Sequence, residues 1–170
     1  MFKIDESGAM KVMPEGLARA MYADKRYGIA DSYADGHLAV VVGHLRAGGF
    51  DEDVVTAGWM HDAIEDGFAT EALIEALFGA RVARIVAAVT DKPGHNRAAR
   101  HAATYPVMRA LGGADAVAVK VADRLANMTA SSPRPSMYTK EYPMFREWLY
   151  DRTDPPATLA MWAQLDELTS

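Results

Sequence analysis

Apolar residues recur along most of this chain at spacings of three and four, and turn residues fall between segments of helix length. Strict alternation is scarce and alanine is abundant, so the pattern predicts helices nearly throughout. A first helix is expected over 15–25, entered through Pro14, whose ring suits a first helical position. After a loop over 26–36, a second helix runs over 37–47 and stops at Gly48-Gly49. A third extends from Asp51 or Glu52 to Asp66 and ends at Gly67. Thr70 caps a fourth, which reaches Phe78 with Glu71 placed to favour the helix dipole. A fifth covers 81–90. Past the loop Asp91-Lys92-Pro93-Gly94 lie a polar helix over 96–111 and, after Gly112-Gly113, a buried one over 114–128. The Ser/Pro-rich stretch 131–136 is the one linker-like segment. Two more helices follow, over 137–150 and 156–168. In the first of them Tyr138, Tyr142, Phe145, Trp148 and Leu149 recur at helical spacing and pack against the core. The fold class expected is all-α, a bundle of eight or nine helices in a single domain over 1–170.

Composition narrows the function classes. A chain of 170 residues, half of them apolar, suits one domain with a real core. Its 18 basic and 23 acidic residues leave a formal charge of −5, which argues against a nucleic-acid partner. The absence of cysteine removes disulfides, thiolate metal sites and a cysteine nucleophile, and the composition leans toward a cytoplasmic location. Apolar runs such as 38–42 and 85–89 are far short of the roughly 20 residues a bilayer requires. The stretch Met1 to Gly16 carries acids and lacks the apolar core of a signal peptide, so neither a membrane nor a secretory route is expected.

Candidate chemistry concentrates in Trp59-Met-His-Asp-Ala-Ile-Glu-Asp-Gly67. On a helix, His61 and Glu65 lie four apart, as do Asp62 and Asp66, so four ionisable groups share one patch of an otherwise apolar element. Buried carboxylates are costly unless they are paired or bind a cation, and a histidine beside an aspartate offers the donors a divalent transition metal takes. Solvated charges at a helix end are the plain reading of that motif alone. His37 sits among Leu38, Val40, Val41 and Val42, where a lone histidine reads as core. Asp123 interrupts a run of alanines and valines, with Asn127 one turn later; an acid there wants a cation, either Arg124 or a shared metal.

Taken in order, His37, His61-Asp62 and Asp123 resemble the signature of the HD-domain metal-dependent phosphohydrolases. The resemblance is closest to the Rel/Spo-type (p)ppGpp hydrolases and their single-domain relatives, the small alarmone hydrolases. It includes Glu65-Asp66, Phe78-Gly79-Ala-Arg-Val82, Val89-Thr90-Asp91 and Lys120-Val-Ala-Asp123-Arg-Leu-Ala-Asn127-Met128, and it covers about 17–128. It implies that His37, His61, Asp62 and Asp123 hold one divalent metal, manganese in this branch, although iron, cobalt and zinc suit the same donors. Glu65 and Asp66 would handle the attacking water and its proton, a metal-bound water being the source of hydroxide near neutral pH.

The substrate implied is a nucleotide with a 3′-diphosphate, cleaved to pyrophosphate and GDP or GTP. With the chain ending at Ser170, a stand-alone hydrolase is expected. Lys25-Arg26 resembles the Arg-Lys pair that holds the guanine base: Arg26 is in register and can stack on a purine, whereas Tyr27 stands where the lysine belongs. Asn127 would bond a ribose or the attacking water. Arg97 and Arg100, three apart, share a face suited to clamping a diphosphate, although a solvated basic face fits them as well. His44, seven residues after His37, is expected in the core, and His95 and His101 have no role assigned. The altered base-binding loop keeps two alternatives open: an HD phosphatase of another nucleotide (a dNTP, a nucleoside monophosphate or NADPH) or a metal-stabilised nucleotide-binding module without turnover. The aromatic C-terminal helices either close the core or make a homo-oligomer face.

Overall fold

In the computed structural model, which describes residues 2–4, 10–29, 32–129 and 132–170, eight α-helices carry the fold. Ala30, Asp31 and Ser131, within the two connecting segments read from the sequence, lie outside the described residues. A short hairpin precedes the helices: β1 (Phe2–Ile4) pairs antiparallel with β2 (Met10–Val12), in the register Phe2 to Val12 and Ile4 to Met10. Helical periodicity does not predict it. Helix α1 (Pro14–Met21) starts on its proline as expected but closes at Met21, four residues before Lys25.

The second helix starts earlier than the sequence suggests. A π-helical turn, Ala34–Leu38, leads into α2 (Ala39–Ala47) and carries His37. Ser32 opens this turn: its hydroxyl accepts from the Asp35 amide at 3.0 Å and donates to the Asp35 carboxylate at 2.8 Å. Such wide turns push one side chain out of helical register and concentrate at functional sites.

Helix α3 (Glu52–Met60) starts at Asp51, whose carboxylate accepts from the Asp53 and Val54 amides, and is buried from Val54 to Met60. Gly58 allows its approach to α2, since a Cβ there would sit 2.6 Å from Leu45 Cδ1. The α-ladder does not continue to Asp66; residues 61–67 form successive turns that end on Gly67. Helix α4 (Glu71–Phe78) is capped by Thr70 Oγ1 as predicted, and α5 (Ala80–Val89) follows directly.

Helix α6 (Arg97–Asn127) is broken at Gly113, where φ is +67°, into arms that match the two helices expected from Gly112-Gly113. Gly112 sits against α5, and a Cβ there would fall 2.7 Å from Ala88 Cβ, so only glycine lets the arms pass. The second arm is the axis of the molecule: Ala116, Val117, Ala118, Val119, Val121 and Ala122 are all inaccessible to solvent.

Helix α7 (Pro135–Leu149) begins on Pro135, two residues before the expected start, and α8 (Pro156–Leu168) has its expected limits. Phe145 and Leu149 join the main core, with the Trp162 ring of α8 tilted against Phe145 at 5.2 Å. Arg109 grips Asp154 between the two helices at 2.6 Å and 3.0 Å.

Candidate functional site

Three separate elements deliver the predicted ligating groups to one point. The π-turn before α2 presents His37, the C-terminal end of α3 presents His61 and Asp62, and the central arm of α6 presents Asp123. His37 Nε2 lies 3.3 Å from His61 Nε2, 3.3 Å from Asp123 Oδ1 and 3.5 Å from Asp62 Oδ2. His61 Nε2 lies 3.1 Å from Asp62 Oδ2 and 3.7 Å from Asp123 Oδ1. Both imidazoles are buried, and Asp123 is 9% exposed.

Local chemistry explains why the α3 ladder ends here. His61 Nδ1 donates to the Gly58 carbonyl at 2.8 Å, one of the acceptors a helix end leaves unpaired. A carbonyl only accepts, so Nδ1 carries the proton and Nε2 turns its lone pair into the site, as a metal ligand requires. Burial by itself would lower the His61 pKa, but Asp62 and Asp123 overcome it and push it up to about 10. His37 is raised for the same reason, and both carboxyls are held well below the ordinary carboxylate range despite their burial. Two buried anions thus demand positive charge between them, which histidine protons or a divalent cation can supply. The two-nitrogen, carboxylate donor set fits such a cation, and His37, His61 and Asp123 offer ligand atoms that all lie within 4.8 Å of one another.

The centre lies in a cavity of about 400 Å³. Glu65 and Asp66 line it from the turns at 61–67, so the expected convergence with the ligands holds although those residues are not on a continuous helix. Burial raises the Glu65 carboxyl, opposed by the charge of Lys120 and assisted by Asp91 and Asp62. Asp66 is paired with Lys25 at 2.5 Å, and the Lys25 ammonium lies 4.0 Å over the Tyr33 ring. Arg26 lines the same cavity.

Three expectations change. Asp123 does face a cation, but it is Lys120, 3.3 Å away and one turn back, rather than Arg124. Arg124 is directed to α7, where it meets Glu141 and the Tyr138 carbonyl at 3.3 Å and lies 4.3 Å over Phe145. Arg97 and Arg100 do not present one clamp: Arg97 lines the cavity and bonds Glu141 at 2.8 Å, whereas Arg100 turns to Asp91 at 3.4 Å. Asn127 accepts from the Tyr27 hydroxyl at 2.8 Å and donates both amide hydrogens to Asp123, at 2.6 Å to Oδ1 and 3.0 Å to the carbonyl. Sequence reasoning missed Lys120, Tyr33 and Tyr138 as cavity residues. Only Lys120 carried a usable signal, its i, i+3 spacing from Asp123.

The stretch that carries all four predicted ligating groups, residues 16–142, matches the HD domain, and the chain belongs to that family. The family implies a divalent metal, and the grouping of His37, His61 and Asp123 is where one fits. Over 117 residues, 66% of this chain, the sequence is 34% identical to a "Probable guanosine-3′,5′-bis(diphosphate) 3′-pyrophosphohydrolase" of Synechocystis. Over 90 residues it is 36% identical to a chloroplastic "Probable GTP diphosphokinase" of Arabidopsis thaliana. The matches span only 15% and 13% of those relatives' lengths. The fold is similar to that of a metazoan SpoT orthologue described as hydrolysing ppGpp, with a TM-score of 0.72, 23% identity, and coverage of 91% of this chain and 90% of the other. It is also similar to a Listeria monocytogenes protein, with a TM-score of 0.57, 27% identity, and coverage of 79% and 96%. Among the described residues no helix is long and apolar enough to cross a membrane.

Proposed function

We propose that the chain is a manganese-dependent (p)ppGpp 3′-pyrophosphohydrolase, releasing pyrophosphate and GDP or GTP by attack of water on the 3′-diphosphate. The observation that carries this reading is a single cavity that joins the four-ligand centre to a wall of cations in an HD domain. His37, His61, Asp62 and Asp123 would hold a divalent cation, which would supply Lewis acidity and lower the pKa of a bound water. The chain's own groups do the rest. Glu65, with its raised carboxyl, positions the water and takes its proton. Asp66, tied to Lys25, orders the same rim and is less free to move a proton. Lys120, Arg97 and Arg124 line the cavity where charge develops on the phosphoryl oxygens. Arg26 stacks on the base.

The catalytic unit in this reading is the whole of 1–170. Trp162 of α8 packs on Phe145 of α7, beyond the end of the family match. One observation favours a second reading: Tyr27 takes the place of the expected base-reading lysine, and its hydroxyl is committed to Asn127. That supports an HD phosphatase of a different nucleotide. The test is pyrophosphate and phosphate release from a nucleotide panel by metal-free protein resupplied with Mn²⁺. Pyrophosphate from ppGpp alone supports the first reading, and turnover of a different nucleotide alone supports the second. Metal binding without turnover of any nucleotide refutes both.

A further inference from the structure

The four ligating side chains need to be aimed, and the partners that aim them are unequal. His61 is oriented by the Gly58 carbonyl, but His37 Nδ1 is buried with no hydrogen-bond partner. What surrounds His37 is aromatic: the Tyr27 and Tyr33 rings each lie 5.0 Å from its imidazole, and they meet each other edge-on at 5.6 Å. The same two tyrosines also act on the carboxylates, one directly and one through an amide. Tyr33 donates its hydroxyl to Asp62 Oδ2, the oxygen nearest the two histidine nitrogens. Tyr27 donates to Asn127 Oδ1, which turns the Asn127 amide so that it donates to the Asp123 carboxylate and carbonyl at 2.6 Å and 3.0 Å.

We infer that Tyr27 and Tyr33 are positioning residues of the metal centre, packing both rings against His37 and setting Asp62 and Asp123 with their hydroxyls, Tyr33 directly and Tyr27 through Asn127. The inference rests on the metal centre of the proposed function and adds to it the origin of its geometry. It also gives Tyr27, which departs from the expected lysine, a role in metal affinity instead of base recognition. Groups that orient metal ligands typically contribute about 10–100-fold in affinity. The packing of these rings is what holds the His37 imidazole on that side, because its Nδ1 has no hydrogen-bond partner among the described residues.

The test is Mn²⁺ titration of metal-free protein by calorimetry, with thermal unfolding of the metal-free variants as the control for fold. Phenylalanine keeps the ring against His37 and removes the hydroxyl. Tyr33→Phe is expected to weaken Mn²⁺ binding by about 10–100-fold while leaving the metal-free protein folded. Tyr27→Phe should weaken it less, and its effect should vanish in an Asn127→Ala background, because the hydroxyl acts through that amide. Tyr33→Leu, which also removes the ring, should cost more affinity than Tyr33→Phe. If Tyr33→Phe does not fold, the Tyr27 and Asn127 cycle alone decides. Affinity within twofold of wild type in Tyr33→Phe, or independent effects of Tyr27→Phe and Asn127→Ala, overturns the inference. Wild-type protein that binds no Mn²⁺ overturns the metal centre itself and this inference with it.

Discussion

Replacing Glu65 by glutamine separates the proton-handling role from metal binding. Glu65 lines the cavity but is not part of the tight grouping of His37, His61 and Asp123, so glutamine keeps the size and polarity of the side chain and leaves the ligands in place. What it removes is a carboxyl that burial lifts above its ordinary 4.5, in a position to accept a proton from water. A positioned general base contributes about 10²–10⁴-fold, which corresponds to roughly 3–5 kcal/mol of barrier at 1.36 kcal/mol per decade. The expected outcome is a loss of that size in kcat for pyrophosphate release from ppGpp, with Mn²⁺ affinity within about threefold of wild type. Although its carboxyl is desolvated in the cavity, Glu65 as a whole residue is exposed at the rim, so stability should change by no more than about 0.5 kcal/mol. The sign of the pH effect follows from the same carboxyl: wild-type rate should fall as pH drops toward the raised pKa, and this acid limb should be missing in Glu65→Gln. A rate within tenfold of wild type, or a parallel loss of Mn²⁺ affinity, refutes the assignment.

Other outcomes follow from the same structure. His61→Ala should lose Mn²⁺ binding and turnover together, because it removes a nitrogen within 3.7 Å of three other ligating groups; retained metal by calorimetry contradicts the centre. Trp162→Ala should cost about 3–5 kcal/mol, seen as a Tm lower by roughly 6–20 °C, since the ring is 1% exposed and packs on Phe145 and Tyr150. A loss below about 1 kcal/mol would mean that α8 is not part of the core. His101, stacked on Tyr105, is lowered from 6.5 to about 4, first by burial and then by Arg97. Between those values the unfolded chain binds a proton that the folded chain does not, so this group's contribution to stability falls as pH drops from 6.5 to 4. The difference in Tm between wild type and His101→Gln should shrink across that window, and parallel curves would show that His101 does not titrate this way.

Much of this protein was legible in its residues because it depends on neighbours in the chain. The Thr70 cap, the proline starts of α1 and α8, and the break at Gly112-Gly113 are local matters of backbone geometry and orphan amides, and each appears where the sequence places it. The grouping of candidate ligands was legible too: His37 and Asp123 are polar residues in apolar runs, and the fold brings them within 3.3 Å of each other. What the sequence did not disclose is which distant partner each charged group would find. The α3 ladder stops at Met60 and turns, while Gly67 is the nearest stop signal in the sequence. Lys25 meets Asp66, 41 residues away, and Arg97 meets Glu141, 44 residues away, pairings that no local spacing announces. Arg124 adjoins Asp123 in sequence, yet consecutive helical residues point about 100° apart, which sends the guanidinium to α7 and leaves Lys120 beside the carboxylate. Periodicity and capping are set within a few residues, so the sequence determines them; the pairing of charges across the cavity depends on how α6, α7 and the segment before His37 pack, and only the tertiary structure decides that.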